Sequence, residues 1–221
     1  MQEELTIPQP PVPAPYLRLP AKMLSYLFHP LFIPTYIFFW LTSRFSIQFA
    51  GITPFEMLAR KIGVFWTTAF FPAFTVFLLW RLKFIQSILL RTQKERIIPY
   101  VATMIFYWWM WYLSRNRQMH LPSVLRFFYF GIFLATVAGL IFNNFFKISM
   151  HAMGMGGAFA CVLLTCLTYH TYLGTDICLV TLLTGLVCSA RLLLNDHYPG
   201  DIYMGLFTGI ICQLIGYAMM M

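Results

Sequence analysis

Of the 221 residues, 60% are apolar and only 10% charged, against roughly 45–50% and 25% in soluble domains. That excess excludes a water-soluble globular protein and predicts a polytopic membrane protein. The formal net charge of +8 suits membrane surfaces and anionic substrates; no basic region forms a soluble domain, so nucleic acid is not expected as a partner.

Met1 to Pro20 carries prolines at 8, 10, 11, 13, 15 and 20 and predicts an extended polar tail, reaching to about residue 22, without a packed core. It is neither basic nor apolar enough for a secretory signal, so the first apolar run is expected to direct insertion itself. Seven apolar runs follow, approximately Met23 to Thr42, Ile62 to Trp80, Ile97 to Leu113, Val124 to Phe142, Ala152 to Tyr169, Ile177 to Leu194 and Ile202 to Met221. Most approach the roughly 20 residues with which a helix crosses the hydrocarbon layer. None shows the alternation of a barrel strand. The expected fold is all-α: a single membrane-embedded helical bundle over residues 23–221.

The first run contains His29, Pro30 and Pro34, and two missing backbone donors predict a break near its middle. The bundle is therefore expected to have six crossings plus one proline-broken interfacial or re-entrant N-terminal helix, with seven crossings as the alternative. Loop charge bears on the choice. With seven crossings, Arg18, Lys22, Arg81 and Lys83 share a face with Arg191 and His197, and Arg44, Arg60, Lys61, Arg115, Arg117 and Arg126 lie opposite. If the first run turns back, Arg18 and Lys22 change sides, and the positive-inside rule then favours six crossings with both termini cytoplasmic.

Cys161, Cys166, Cys178, Cys188 and Cys212 fall inside apolar runs without ligand spacing and read as small hydrophobes. Met153-Gly-Met-Gly-Gly157 places small residues on a helix, which favours close helix packing. His29, His120 and His170, at run ends or beside a proline, read as interfacial packing residues. Asp176, Asp196 and Glu56 read as loop acids.

Three polar stretches interrupt the apolar pattern. In Ser189-Ala-Arg-Leu-Leu-Leu-Asn-Asp-His-Tyr-Pro-Gly-Asp201, a helix starting near Pro199 puts Asp201 in its first turn, facing back toward His197. A carboxylate there would fix the imidazole tautomer and leave the other nitrogen as nucleophile or base. Arg191 adds a planar cationic fork suited to phosphate. A polar helix end, with Arg191 snorkelling and Asp201 as a cap, accounts for the same residues. In Lys147-Ile-Ser-Met-His151, Ser149 is a plausible N-cap, which would set His151 at a helix N-terminus that favours an anion, beside the charge of Lys147. Arg91-Thr-Gln-Lys-Glu-Arg-Ile-Ile-Pro99 is a basic stretch ahead of the third run. Two runs separate each stretch from the next, so all three emerge on the same face of the membrane.

Arg191, five residues, His197, three residues, Asp201 resembles the third signature of the type 2 phosphatidic acid phosphatase family of integral membrane lipid phosphatases. Ser149 and His151 match the Ser and His of its second signature, Pro-Ser-Gly-His, with Ile148 and Met150 in place of Pro and Gly. Aligned on Pro99, the first signature, Lys, six residues, Arg-Pro, places Arg91 at the Lys and Ile98 at the Arg, with Lys94 and Arg96 as nearby substitutes. The resemblance covers about residues 91–201 and implies a phosphatase-like core over 91–221. It implies that His197 attacks phosphorus to form a phosphohistidine, that Asp201 stabilises the resulting imidazolium, and that His151 protonates the departing lipid alkoxide. Arg191, Ser149, Lys147, Arg96, Lys94 and Arg91 would bind the phosphate. No metal or cofactor is implied, because the cations supply the electrostatics. A metal site built from His151, His197 and Asp201, with or without Asp196, is the rival for those residues. The expected partner is a membrane lipid phosphate or diphosphate, met from the extracytoplasmic face of a bilayer such as a bacterial inner membrane. A lipid phosphotransferase with the same intermediate, or a non-catalytic transporter or scaffold, uses the same residues differently.

Overall fold

Side-chain caps open four of the described α-helices, α7 and α9 among them, where the sequence places helix starts. The computed structural model describes residues 15–87, 92–116 and 121–221; Arg91 and His120 lie outside the described residues, as does most of the proline-rich tail. Thr53 and Thr92 each cap a helix in a capping box with Glu56 and Glu95, and Ser149 and Pro199 open two more, satisfying the orphan N–H groups of a first turn. The helices are α1 (Pro15–Leu27), α2 (Ile33–Arg44), α3 (Pro54–Phe65), α4 (Phe71–Arg81), α5 (Gln93–Ser114), α6 (Ser123–Phe142), α7 (Met150–Tyr169), α8 (Gly174–Leu193) and α9 (Pro199–Met220). A π-helical turn, Trp66–Phe70, makes α3 and α4 one continuous rod. No strand occurs among the described residues.

The chain is an integral membrane protein. Six segments are long and apolar enough to cross a bilayer: Tyr16–Arg44, Pro54–Arg81, Ser123–Phe142, Met150–Tyr169, Gly174–Leu193 and Pro199–Met220. Helix α5 is as long, at 22 residues, but its first turn carries Lys94, Glu95 and Arg96. The first run breaks where its prolines stand: His29 is extended, its Nδ1 accepts the Leu31 N–H at 3.4 Å, and Pro30–Phe32 form one 3₁₀ turn before α2 begins. Despite the break, this run reaches both ends of the bundle. Ser25 lies beside Arg191 and His151 at one end; at the other, Trp40 and Arg44 bond Asp176. The tail is shorter than the sequence suggests. Residues from Pro15 onward are helical, because Ala21 and Ser25, one turn apart, find a buried seat.

Helices α7 and α9 pack most closely, and glycine makes this possible. A Cβ on Gly205 would stand 2.5 Å from the Ser149 carbonyl, and one on Gly209 would overlap the Met153 carbonyl. This backbone contact includes the expected Gly156, which faces the Leu206 carbonyl, and it joins the first turn of α7 to that of α9. The apolar core lies around α6 and the far half of α7, with Phe38, Leu41, Leu125, Phe127, Phe128 and Met155 buried. Cys161 and Cys212 are buried as expected, whereas Cys178 lies on the outer surface of α8; all five cysteines are free.

Candidate functional site

The three polar stretches meet at one end of the bundle. The first turns of α7 and α9 are tied by a Ser149 N–H to Asp201 carbonyl bond of 3.2 Å, and the Ser149 hydroxyl caps α7 through the Ala152 N–H at 3.4 Å. Between α8 and α9, the loop carrying Asp196 and His197 folds over the segment before α7. There His197 Nδ1 lies 3.0 Å from the Lys147 carbonyl, and Lys147 Nζ donates to the Asp196 carbonyl at 3.2 Å. Arg96, buried in the first turn of α5, reaches the Ile148 carbonyl at 3.4 Å.

His197 is buried. Because the Lys147 carbonyl only accepts, Nδ1 carries the proton, and Nε2 is left with its lone pair. Burial, then the charges of Arg191, Arg96 and Lys147, push its pKa down to about 3. The imidazole is therefore neutral at ordinary pH. The tautomer is fixed differently from the sequence expectation. Asp201 Oδ2 stands 3.7 Å from Nδ1, too far for a hydrogen bond, and accepts instead from the Tyr198 N–H at 3.1 Å, capping its own helix. Its carboxylate lies where an imidazolium would be stabilised, but a neutral ring makes no ion pair with it. Lys147 also has a lowered pKa, through partial burial and then the neighbouring Arg96.

Arg191 is held from two sides: NH2 pairs with Asp196 Oδ2 at 2.9 Å, and NH1 donates to Ser25 Oγ at 3.4 Å. Its Nε–H is buried without an acceptor among the described residues. A buried orphan donor is costly, and an oxyanion against this edge of the guanidinium would satisfy it. Such partly exposed pairing stabilises by about 0–1 kcal/mol, so the role of Asp196 is to orient the fork. His151 Nε2 donates to the Ser25 carbonyl at 3.0 Å. The His29 ring packs edge-on against it, with centroids 5.4 Å apart.

Of the residues singled out in the sequence, His197, His151, Asp201, Arg191, Ser149, Lys147 and Arg96 thus belong to one cluster. Lys94 does not join it through a described contact: it is exposed, two positions from Arg96 and so on another face of α5. Arg91 lies outside the described residues. Three residues were missed. Asp196 read as a loop acid, His29 as a packing histidine, and Ser25 as nothing. The signal for His29 was available, since an ionisable residue inside an apolar run marks a functional site by default.

No protein-family model, curated protein or solved structure matches the chain.

Proposed function

We propose that this chain is a metal-independent membrane phosphatase that hydrolyses a lipid phosphate or diphosphate through a phosphohistidine. The observation that carries the reading is the state of His197: a neutral imidazole pinned at Nδ1, with an unprotonated Nε2, among three cations drawn from separate segments. A nucleophile must be unprotonated, and the phosphoryl group it attacks carries negative charge that the cations offset as it spreads over the equatorial oxygens. The likeness of Arg191, His197 and Asp201 to the third signature of the type 2 phosphatidic acid phosphatases points the same way.

In this reading Nε2 of His197 attacks phosphorus, the bond to the lipid oxygen breaks, and Asp201 stabilises the imidazolium character that His197 gains. The unpartnered Nε–H of Arg191, with Lys147 and Arg96, holds the phosphoryl oxygens. His151, entering as the imidazolium with Nε2 bonded to the Ser25 carbonyl, gives its Nδ1 proton to the departing alkoxide and then takes one from the water that cleaves the phosphohistidine.

The test is phosphate release from phosphatidate and from an isoprenyl diphosphate by purified protein, alongside trapping of a ³²P-labelled intermediate by a denaturing alkaline quench, in which a phosphohistidine survives. His197→Ala is expected to abolish both release and labelling, and His151→Ala to slow release while leaving some label. Undiminished release by His197→Ala excludes the proposed nucleophile.

A further inference from the structure

The break in the first run opens a second feature below the polar cluster. Because α1 packs on α8 and α2 turns toward α7, a cavity of about 220 Å³ remains between α2, α7 and α8, lined by Ile33, Tyr36, Met155, Ala158, Val180 and Leu183. Nearly all of this lining is apolar, and Leu179, 58% exposed, stands at its lateral mouth. The near end meets the polar cluster twice. Phe28 lines it and adjoins His29, whose ring packs on His151; Met155 lines it one helical turn from His151. The far end is closed by Trp40 and Asp176, joined by an indole N–H to carboxylate bond of 2.8 Å that Arg44 reinforces.

We infer that this groove binds the hydrocarbon chain of the phosphate-bearing lipid whose head group occupies the cluster, and that the Trp40–Asp176 floor limits chain length. The inference rests on the lipid-phosphate reading above. Its occupant follows from continuity: the groove begins where the anion site ends, and it is apolar along its length. Its size is that of one chain. Met155 to Val162 on α7 spans roughly 10 Å at 1.5 Å per residue, about eight bonds at the advance of an extended chain. Its volume holds roughly seven groups the size of a water molecule. A chain entering from the bilayer leaves one apolar medium for another, so the groove holds it by shape and packing rather than by hydrophobic transfer, and obstruction should be read chiefly as lost affinity.

The experiment uses full-length protein in zwitterionic nanodiscs with a single-chain lysophosphatidate carrying a diazirine about eight bonds from its ester, and the corresponding monoacylglycerol without phosphate. Photolysis is expected to attach the phosphate lipid to α2, α7 or α8 residues of the groove. Leu183→Trp should reduce this labelling about tenfold, the cost of forcing an oversized ring into the space of the chain. Leu179→Trp, on the lipid-facing mouth and least able to disturb folding, should reduce it less but in the same direction. Labelling that falls on the aromatic outer face of α4 and α5, is equal for the phosphate-free lipid, or ignores both variants overturns the inference. Hydrolysis is measured on the same samples. Groove labelling without phosphate release leaves the chain site standing and removes the phosphatase, whereas release of phosphate with unaltered labelling in both variants does the reverse.

Discussion

At His197 the environment has converted the side chain whose ordinary pKa lies nearest neutrality into one that stays neutral well below it. Its folded-state pKa, pushed down to about 3, is lower than the ordinary 6.5, so between these values the unfolded chain binds the extra proton. Stability from this residue is fully present above pH 6.5 and is lost as pH falls toward 3. In detergent, the melting temperature of the native protein should therefore fall more steeply between pH 6.5 and 4 than that of His197→Asn. Parallel curves would show that the neutral ring is not imposed by the fold. Asp201 offers a second test. Since the Lys147 carbonyl holds Nδ1, Asp201→Asn should keep the tautomer, slow phosphate release far less than His197→Ala does, and cost about 0.3–1 kcal/mol of stability, because the amide oxygen still accepts the Tyr198 N–H while the first-turn charge is lost. A loss as complete as that of His197→Ala would return the orienting role to the carboxylate.

The α7–α9 pair is the element on which the site is mounted. Ser149 and Asp201 face each other because Gly205 and Gly209, one and two turns deeper in α9, let the two backbones touch, so packing precision here sets the geometry of the site. A methyl on Gly209 has nowhere to go but into the Met153 carbonyl, while one on Gly185 of α8 meets nothing within 4 Å. Gly209→Ala should thus destabilise by about 1–3 kcal/mol, whereas Gly185→Ala should be neutral or stabilising by about 0.5–1 kcal/mol through helix propensity alone. Thermal unfolding of the two variants against the native protein checks the contrast. Equal effects would mean that the helices separate easily and that the site is not rigidly mounted.

For the whole molecule, the decisive relation is which loops share an end. Contacts at Ser25, Arg96, Lys147 and His197 lie at one end of the bundle, and those of Trp40, Arg44 and Asp176 at the other. Tyr198 and Tyr172, 71% and 89% exposed, mark the two ends. With the native cysteines replaced, Tyr198→Cys and Tyr172→Cys should react with an impermeant maleimide from opposite sides of sealed vesicles. Reaction from the same side would break the arrangement on which the assembled site depends.

Hydrophobic periodicity and capping signals are local, and they alone determined the helical class, the seven apolar runs, the proline break and the starts of α7 and α9. The parity of the runs also brought Arg191, His197, Lys147, Ser149, His151 and Arg96 within view of one another, since a helix that crosses a bilayer leaves its loop on a known side. Hydrogen-bond partners across tens of residues obey no such local rule. Only the folded chain could decide that a backbone carbonyl rather than Asp201 pins His197, that Lys94 is exposed while Arg96 is buried, and that Ser25 and His29 return to the cluster from the opposite end of the sequence. Those outcomes follow from where packed backbones expose their carbonyls and from how the kink at Pro30 aims α1, and tertiary contact fixes both.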